Sequence, residues 1–200
     1  MTKLGGTILG LIVLAAIAFA SMLSFGPAAL RPAPPAARPD EVLAPLSIAK
    51  AEGAPLAIPV AGFPADALAD TWGDSRDEGA RVHQAIDIPA PGGTPVVAAA
   101  PGRIEKLFNS AAGGVTLYVR SPDRAWNYYY AHLANYAPGI REGMMVRQGT
   151  LLGFVGDTGN AGPGNTHLHF AVNRMRPGDS WSQGEPRNPF PLLAGQALRR

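Results

Sequence analysis

Four histidines and one aspartate stand at spacings that could hold a metal ion or move a proton. In VHQAIDIPA (82–90), His83 and Asp87 are four residues apart. In NTHLHFAV (165–172), His167 and His169 are two apart, and His132 lies in YYYAHLANY (128–136). Side chains at i and i+2 of a strand share a face, so His167 and His169 would sit side by side while Leu168 and Phe170 enter a core. On a straight strand His83 and Asp87 would be about 13 Å apart, so both reach one ion only if the chain bends at Gln84–Ala85. Neutral imidazole and carboxylate bind Zn²⁺ at about 2.0–2.2 Å, and a catalytic zinc keeps three protein ligands and one open position. One histidine of HLH added to His83 and Asp87 would complete such a set. Each motif alone has a plainer reading: HxxxD as a solvated surface pair, HxH as an exposed strand face, and His132 as a half-buried ring among tyrosines.

The elements that must position these residues are short strands. The chain has 200 residues with 24 Gly and 20 Pro, which leaves long helices little room. From residue 82 onward, apolar or alternating runs are bounded by turn residues. Strands are expected near 86–89, 95–100, 103–108, 115–120, 127–133, 151–155 and 166–172, separated by PGG (91–93), AAGG (111–114), SPDR (121–124) and APG (137–139). This spacing predicts an all-β, antiparallel sheet or sandwich. FPADALAD (63–70) is expected to form a short helix, and TWGDSRDEGAR (71–81) a loop in which Arg81 is solvated. On a regular strand Tyr128 and Tyr130 would share a face with His132, and packing is their expected role.

Charge and cysteine content narrow the classes. Of 17 basic residues, Lys3, Arg31 and Arg38 precede the first acidic residue; the other 14 stand against 15 acidic ones. No basic patch argues for nucleic acid. With no cysteine, thiolate metal sites, a cysteine nucleophile and disulfides are excluded. Residues 6–25 are nearly all apolar, and about 20 such residues suffice to cross a bilayer as a helix. Residues 1–25 are therefore expected to be a membrane anchor or a signal peptide. Either would export the rest of the chain, to the periplasm or another extracytoplasmic face. Residues 26–46 read as a Pro/Ala-rich semi-rigid linker, 47–70 as a poorly defined lead-in, 71–192 as the folded domain and 193–200 as a tail.

Taken in order, HQAIDIPAPGGTPVVAAAPGRI, YYYAHL, GMMVRQGTLLGFVGDTGNAGPGNTHLHF and NPFPLL resemble the lysostaphin-type (LytM-like) zinc endopeptidases that cut peptidoglycan cross-links. The likeness runs from about residue 71 to 190 and accounts for every histidine. It implies one zinc per chain, with His83, Asp87 and His169 as metal ligands. It also implies His132 and His167 as non-ligand catalytic histidines, and a peptidoglycan peptide as substrate. No HExxH occurs, so a helix-borne glutamate base is not expected; histidine, with a pKa near 6.5, can accept or donate a proton near neutrality.

The sequence departs from the family pattern at Ala85, often Gly, so the bend must use backbone angles open to a residue with a Cβ. It departs also at Thr166, often Pro, at Ala171, often acidic, and in the long loop NAGPGN (160–165). Two other classes are weighed. A catalytically silent or latent relative regulating another wall hydrolase would typically lack a ligand, and all five site residues are present here. A carrier-like barrel would match the Gly–Val pattern of 93–104 and 142–156 but would leave the histidines unexplained.

Overall fold

Strand-forming runs between Gly- and Pro-rich turns dominate the computed structural model, which describes residues 46, 48–76 and 79–195. All of these belong to the second of the chain's two units, residues 40–200. The expected anchor or signal segment, most of the linker and the last five residues lie outside the described residues.

Eleven strands are described: β1 (Ser75–Arg76), β2 (Arg81–Val82), β3 (Ile86–Pro89), β4 (Pro95–Val97), β5 (Gly102–Ser110), β6 (Gly114–Arg120), β7 (Trp126–Tyr136), β8 (Met145–Val146), β9 (Leu151–Val155), β10 (His167–Arg174) and β11 (Glu185–Arg187). A short helix, α1 (Phe190–Ala194), comes after them. Every strand pairing is antiparallel, as the all-β reading expects. Nine strands form one sheet with the path β11-β10-β7-β6-β5-β8; β3 joins β10, and β4 joins β9, which also pairs with β7. β1 and β2 form a separate two-stranded ladder.

Strands β3 and β9 have the bounds the apolar runs suggest, and β5, β6 and β7 extend one to three residues beyond theirs; β10 starts one residue later and ends two later than expected, and β4 stops three residues short of the run 95–100. Strands β1, β2, β8 and β11 are two or three residues long and carry too little alternation to be read. Two of them fall in the stretch expected to be loop. The helix expected over 63–70 is a single 3₁₀ turn, Ala65–Ala67, because Pro64 and the short apolar run support no more than one turn.

The core lies on one face of β3, β10, β7 and β6. Ile86, Ile88, Leu168, Phe170, Tyr130 and Leu117 are fully buried there. Fully burying a side chain such as Ile, Leu or Phe contributes about 1.5–3 kcal/mol. The Tyr130 and Phe170 rings pack 5.2 Å apart, and the Tyr130 hydroxyl is satisfied by the Ala99 N–H at 2.9 Å. Leu56, Ile58 and Val60 close the same core, with Leu193 from α1. The lead-in is thus an integral layer: Val60 bridges Val96, and Ala57 N–H donates to the Ala99 carbonyl.

Candidate metal and catalytic centre

Strand β10 is the spine of the site. His167 and His169 alternate with Leu168 and Phe170, which are fully buried, so core packing forces both imidazoles to the opposite face. On one side of β10, His169 is the direct partner of Asp87 on β3; on the other it is the partner of Ala131 on β7. Directly opposed residues of an antiparallel pair have Cβ atoms about 4.5–5.5 Å apart, which places the Asp87 carboxylate against the His169 ring. His83 arrives from outside the main sheet, just after β2, through a bend at Ala85. Ala85 is fully buried and, among the described residues, only Arg124 and His132 are non-glycine residues with positive φ. The bend therefore needs no glycine.

Three donor atoms converge. His83 Nε2 lies 3.1 Å from His169 Nδ1 and 3.2 Å from Asp87 Oδ1, and His169 Nδ1 lies 3.1 Å from the same oxygen. A tetrahedral centre with bonds of about 2.0 Å needs donor separations of about 3.3 Å. The triangle, two imidazole nitrogens and one carboxylate oxygen, fits a metal ion. Among the described residues these three are the group of histidines and acids able to hold one.

Neighbouring groups orient the donors. The Thr71 carbonyl lies 2.8 Å from His83 Nδ1; a carbonyl only accepts, so Nδ1 carries the proton and Nε2 keeps its lone pair for the ion. The Thr71 hydroxyl accepts from the Asp87 backbone N–H at 3.0 Å. Arg76 donates to Asp87 Oδ2 at 2.6 Å, leaving Oδ1 to the triangle. Arg76 also stands 3.0 Å from His83 Nδ1, but two donors cannot bond each other, so its ion pair is with Asp87. Burial alone would raise the Asp87 carboxyl; hydrogen bonds to His169 and His83, and their charges, hold it far below the usual carboxylate range. Burial lowers His169, which keeps the ring in the neutral form a metal needs.

The other two histidines flank this triangle. His167 Nε2 is 3.7 Å from Asp87 Oδ1, with Nδ1–H donated to the Asn165 carbonyl at 2.9 Å. The His132 ring lies 4.9 Å from His167, tilted, and 5.5 Å from His169, edge-on, centroid to centroid, with Nδ1–H donated to the Thr158 carbonyl at 2.8 Å. In the neutral ring of either histidine, a proton held on Nδ1 leaves the lone pair on Nε2. Burial pushes His132 down to about 4, so it is neutral, and able to accept a proton, across the physiological range.

His132 reaches the site by breaking alternation. Between the pairs Val115↔Leu133 and Leu117↔Tyr130 the register shifts, so β7 carries one residue more than β6, and His132 takes a left-handed φ of 60°. This β-bulge turns Ala131 and His132 to the same face. Tyr128 and Tyr130 therefore do not share a face with His132: they pack in the core, and Tyr129 faces the site, its ring 6.0 Å from His169. Sequence reasoning also missed Thr71, Arg76 and Thr158. They act on partners 11 to 43 residues away across turns and bulges, where no periodicity links them. The arginine on the carboxylate is Arg76; Arg81, its ladder partner, lines the cleft.

The donors lie at the floor of an open cleft of about 400 Å³, walled by Arg76, Arg81 and Gln84 on one side and Ala112, Gly113 and Asn160 on the other. The arrangement can activate water on a metal and move protons beside it, the requirements of hydrolysis at a carbonyl.

Known proteins match the same region. The model of Peptidase family M23 matches residues 81–189. The L-Ala–D-Glu endopeptidase of Bacillus subtilis is 33% identical over 129 residues, covering 62% of this chain and 38% of that protein. The peptidoglycan DD-endopeptidase ShyC of Vibrio cholerae is 32% identical over 93 residues, covering 46% of this chain and 21% of that protein. The chain thus spans well under half of these curated relatives. The catalytic domain of the antimicrobial peptidase lysostaphin from Staphylococcus simulans superposes with a TM-score of 0.53 at 26% identity, covering 64% of this chain and 94% of that domain. With a family model covering more than half of its residues, the chain belongs to Peptidase family M23.

Proposed function

We propose that this protein is a zinc-dependent endopeptidase that hydrolyses peptide cross-links of bacterial peptidoglycan. The observation that carries the reading is the donor triangle of His83 Nε2, Asp87 Oδ1 and His169 Nδ1, flanked by two histidines whose Nδ1 atoms are held by the Thr158 and Asn165 carbonyls. Relatives named as a peptidoglycan DD-endopeptidase and as an L-Ala–D-Glu endopeptidase support the choice of substrate.

His83, Asp87 and His169 would hold the zinc, which supplies a water of lowered pKa and polarises the scissile carbonyl. His132 and His167 stand on the triangle's flank. A ring of this pair would first accept the water's proton at Nε2 and, once protonated there, would deliver it to the leaving amine or donate to the developing oxyanion. Arg76 and Thr71 hold the donors in place. We place the domain outside the cytoplasm, held to the membrane by the apolar stretch 6–25.

The test is digestion of purified sacculi by the full chain in mild detergent, with released peptides identified by mass. New termini that vanish with a chelator and return with Zn²⁺ bear the reading out and name the bond. A folded, zinc-loaded protein that releases nothing overturns it in favour of a regulator of another hydrolase.

A further inference from the structure

The left-handed φ of His132 is a conformation that residues with a Cβ hold only when their surroundings impose it, and the imposing contacts converge on one residue. Thr158 lies in the loop between β9 and β10. Its hydroxyl donates to the Leu133 carbonyl at 2.7 Å and accepts from the Val115 N–H at 3.0 Å. Val115 and Leu133 are the β6–β7 partners at the edge of the bulge. The side chain of Thr158 is thus inserted into the gap that the extra residue of β7 opens, replacing ladder hydrogen bonds that strand pairing would otherwise supply. The same residue's carbonyl takes the His132 Nδ1–H at 2.8 Å.

The loop bearing Thr158 cannot slide away from the bulge. A Cβ on Gly114 would overlap Thr158 Oγ1, and one on Gly159 would overlap the Gly114 nitrogen and the Ala112 carbonyl. Two loops therefore meet backbone to backbone, and only glycine fits. Asn160 N–H donates to the Ala112 carbonyl, and His132 N–H to the Gly113 carbonyl, which closes the ring of contacts around the histidine.

We propose that Thr158 is the positioning residue of His132: its hydroxyl holds open the β-bulge that turns the imidazole into the cleft, and its carbonyl fixes the tautomer with Nε2 free. This deepens the endopeptidase reading and rests on it, because it assigns Thr158 to turnover and leaves metal binding to other residues.

The experiment compares Thr158→Val, which removes the hydroxyl at constant shape, with Thr158→Ser, which keeps it. Thr150→Val serves as control: Thr150 is fully buried, and its hydroxyl accepts from the Arg147 N–H away from the cleft. Thr158→Val is expected to lower kcat about 10-fold or more, forfeiting part of the about 10²–10⁴-fold that a placed proton-transfer group contributes. KM and Zn²⁺ affinity should stay within about twofold. Thr158→Ser should recover most of the turnover, and Thr150→Val should leave kcat unchanged. Unchanged kcat in Thr158→Val overturns the proposal. So does a fall of kcat and Zn²⁺ affinity together in proportion to the folded fraction, which would mark a merely structural contact.

A measurement on the unsubstituted full chain decides the case if the valine variant does not fold. Long-range ¹H–¹⁵N imidazole spectra should show His132 as the Nδ1–H tautomer, with a proton contact to Thr158; an Nε2–H tautomer overturns the placement. If the unsubstituted chain digests no sacculi, the endopeptidase reading falls, and the tautomer alone decides whether Thr158 places the ring.

Discussion

Strands β10 and β7 lie side by side and each delivers histidine to the same cleft, by opposite means. β10 keeps strict alternation: Leu168 and Phe170 go down into the core, His167 and His169 go up. β7 abandons alternation at Ala131–His132 and holds its histidine in a left-handed conformation. On β10 the sheet's own register aligns the donor with Asp87, so geometry is a product of packing. On β7 geometry is imposed by a loop that sits in the broken ladder. One expects the first strand to tolerate change around its histidines, and the second to depend on contacts far from it in sequence.

The largest effect that would sharpen the contrast is loss of a donor from β10. His169→Ala should abolish stoichiometric metal binding and with it hydrolysis, read by competition with a chromophoric chelator. If instead metal is retained, the triangle is not the binding set. Changes to His132 or His167 should divide binding from turnover. Either alanine variant is expected to hold Zn²⁺ normally while kcat falls by about 10²–10⁴. Equal metal loss in both would erase the division.

The bulge also carries a pH signature in the metal-free protein. Burial depresses the folded pKa of His132 to about 4, against about 6.5 unfolded. Between these values the unfolded chain binds more protons, so stability falls as pH drops. The fall starts below 6.5 and is complete near 4. From pH 7.5 to 4.5 this histidine should remove about 2–3 kcal/mol, and His132→Gln should flatten the urea-melt profile by that amount. Asp87 and His169, also lowered, shift the baseline in the same direction.

Arg76→Gln probes the orientation of the carboxylate on the β3 side. Zn²⁺ affinity should weaken about 10–100-fold, the usual effect of losing a partner behind a ligand. Tighter binding would show instead that the guanidinium acts chiefly as a competing charge. The smallest change expected is from Ala85→Gly. With no positive φ to relieve there, glycine should cost about 0.5–1 kcal/mol in backbone entropy; a stabilised protein would mean the bend is strained.

Much of this is legible in the sequence because β10 and β3 are regular. Alternation around Leu168 and Phe170 assigns faces without any knowledge of partners, and IDIP and LLGFV are bounded by strong turn residues. The features that escape are non-local or irregular. A bulge moves one residue out of phase, and the local sequence YYYAHL reads equally well as an unbroken strand, which would put Tyr128 and Tyr130 beside His132. The hairpin of β1 and β2 is too short for periodicity, and with it Thr71 and Arg76 read as loop. Thr158 lies in DTGN, a segment whose chemistry is set by a gap in another pair of strands.

The separate β1–β2 ladder has a mechanical consequence. Two of the three donors, Asp87 and His169, belong to the main sheet, while His83 comes just after a two-stranded ladder tied to itself through the Gly73 and His83 amides. An ion shared by all three would act as a cross-link between two sheets. Its removal would leave β10 buried in its ladder but release one clasp on the hairpin. Amide exchange should then quicken at Gly73 and His83 while Leu168 and Phe170 stay protected, making the hairpin a built-in reporter of metal loading.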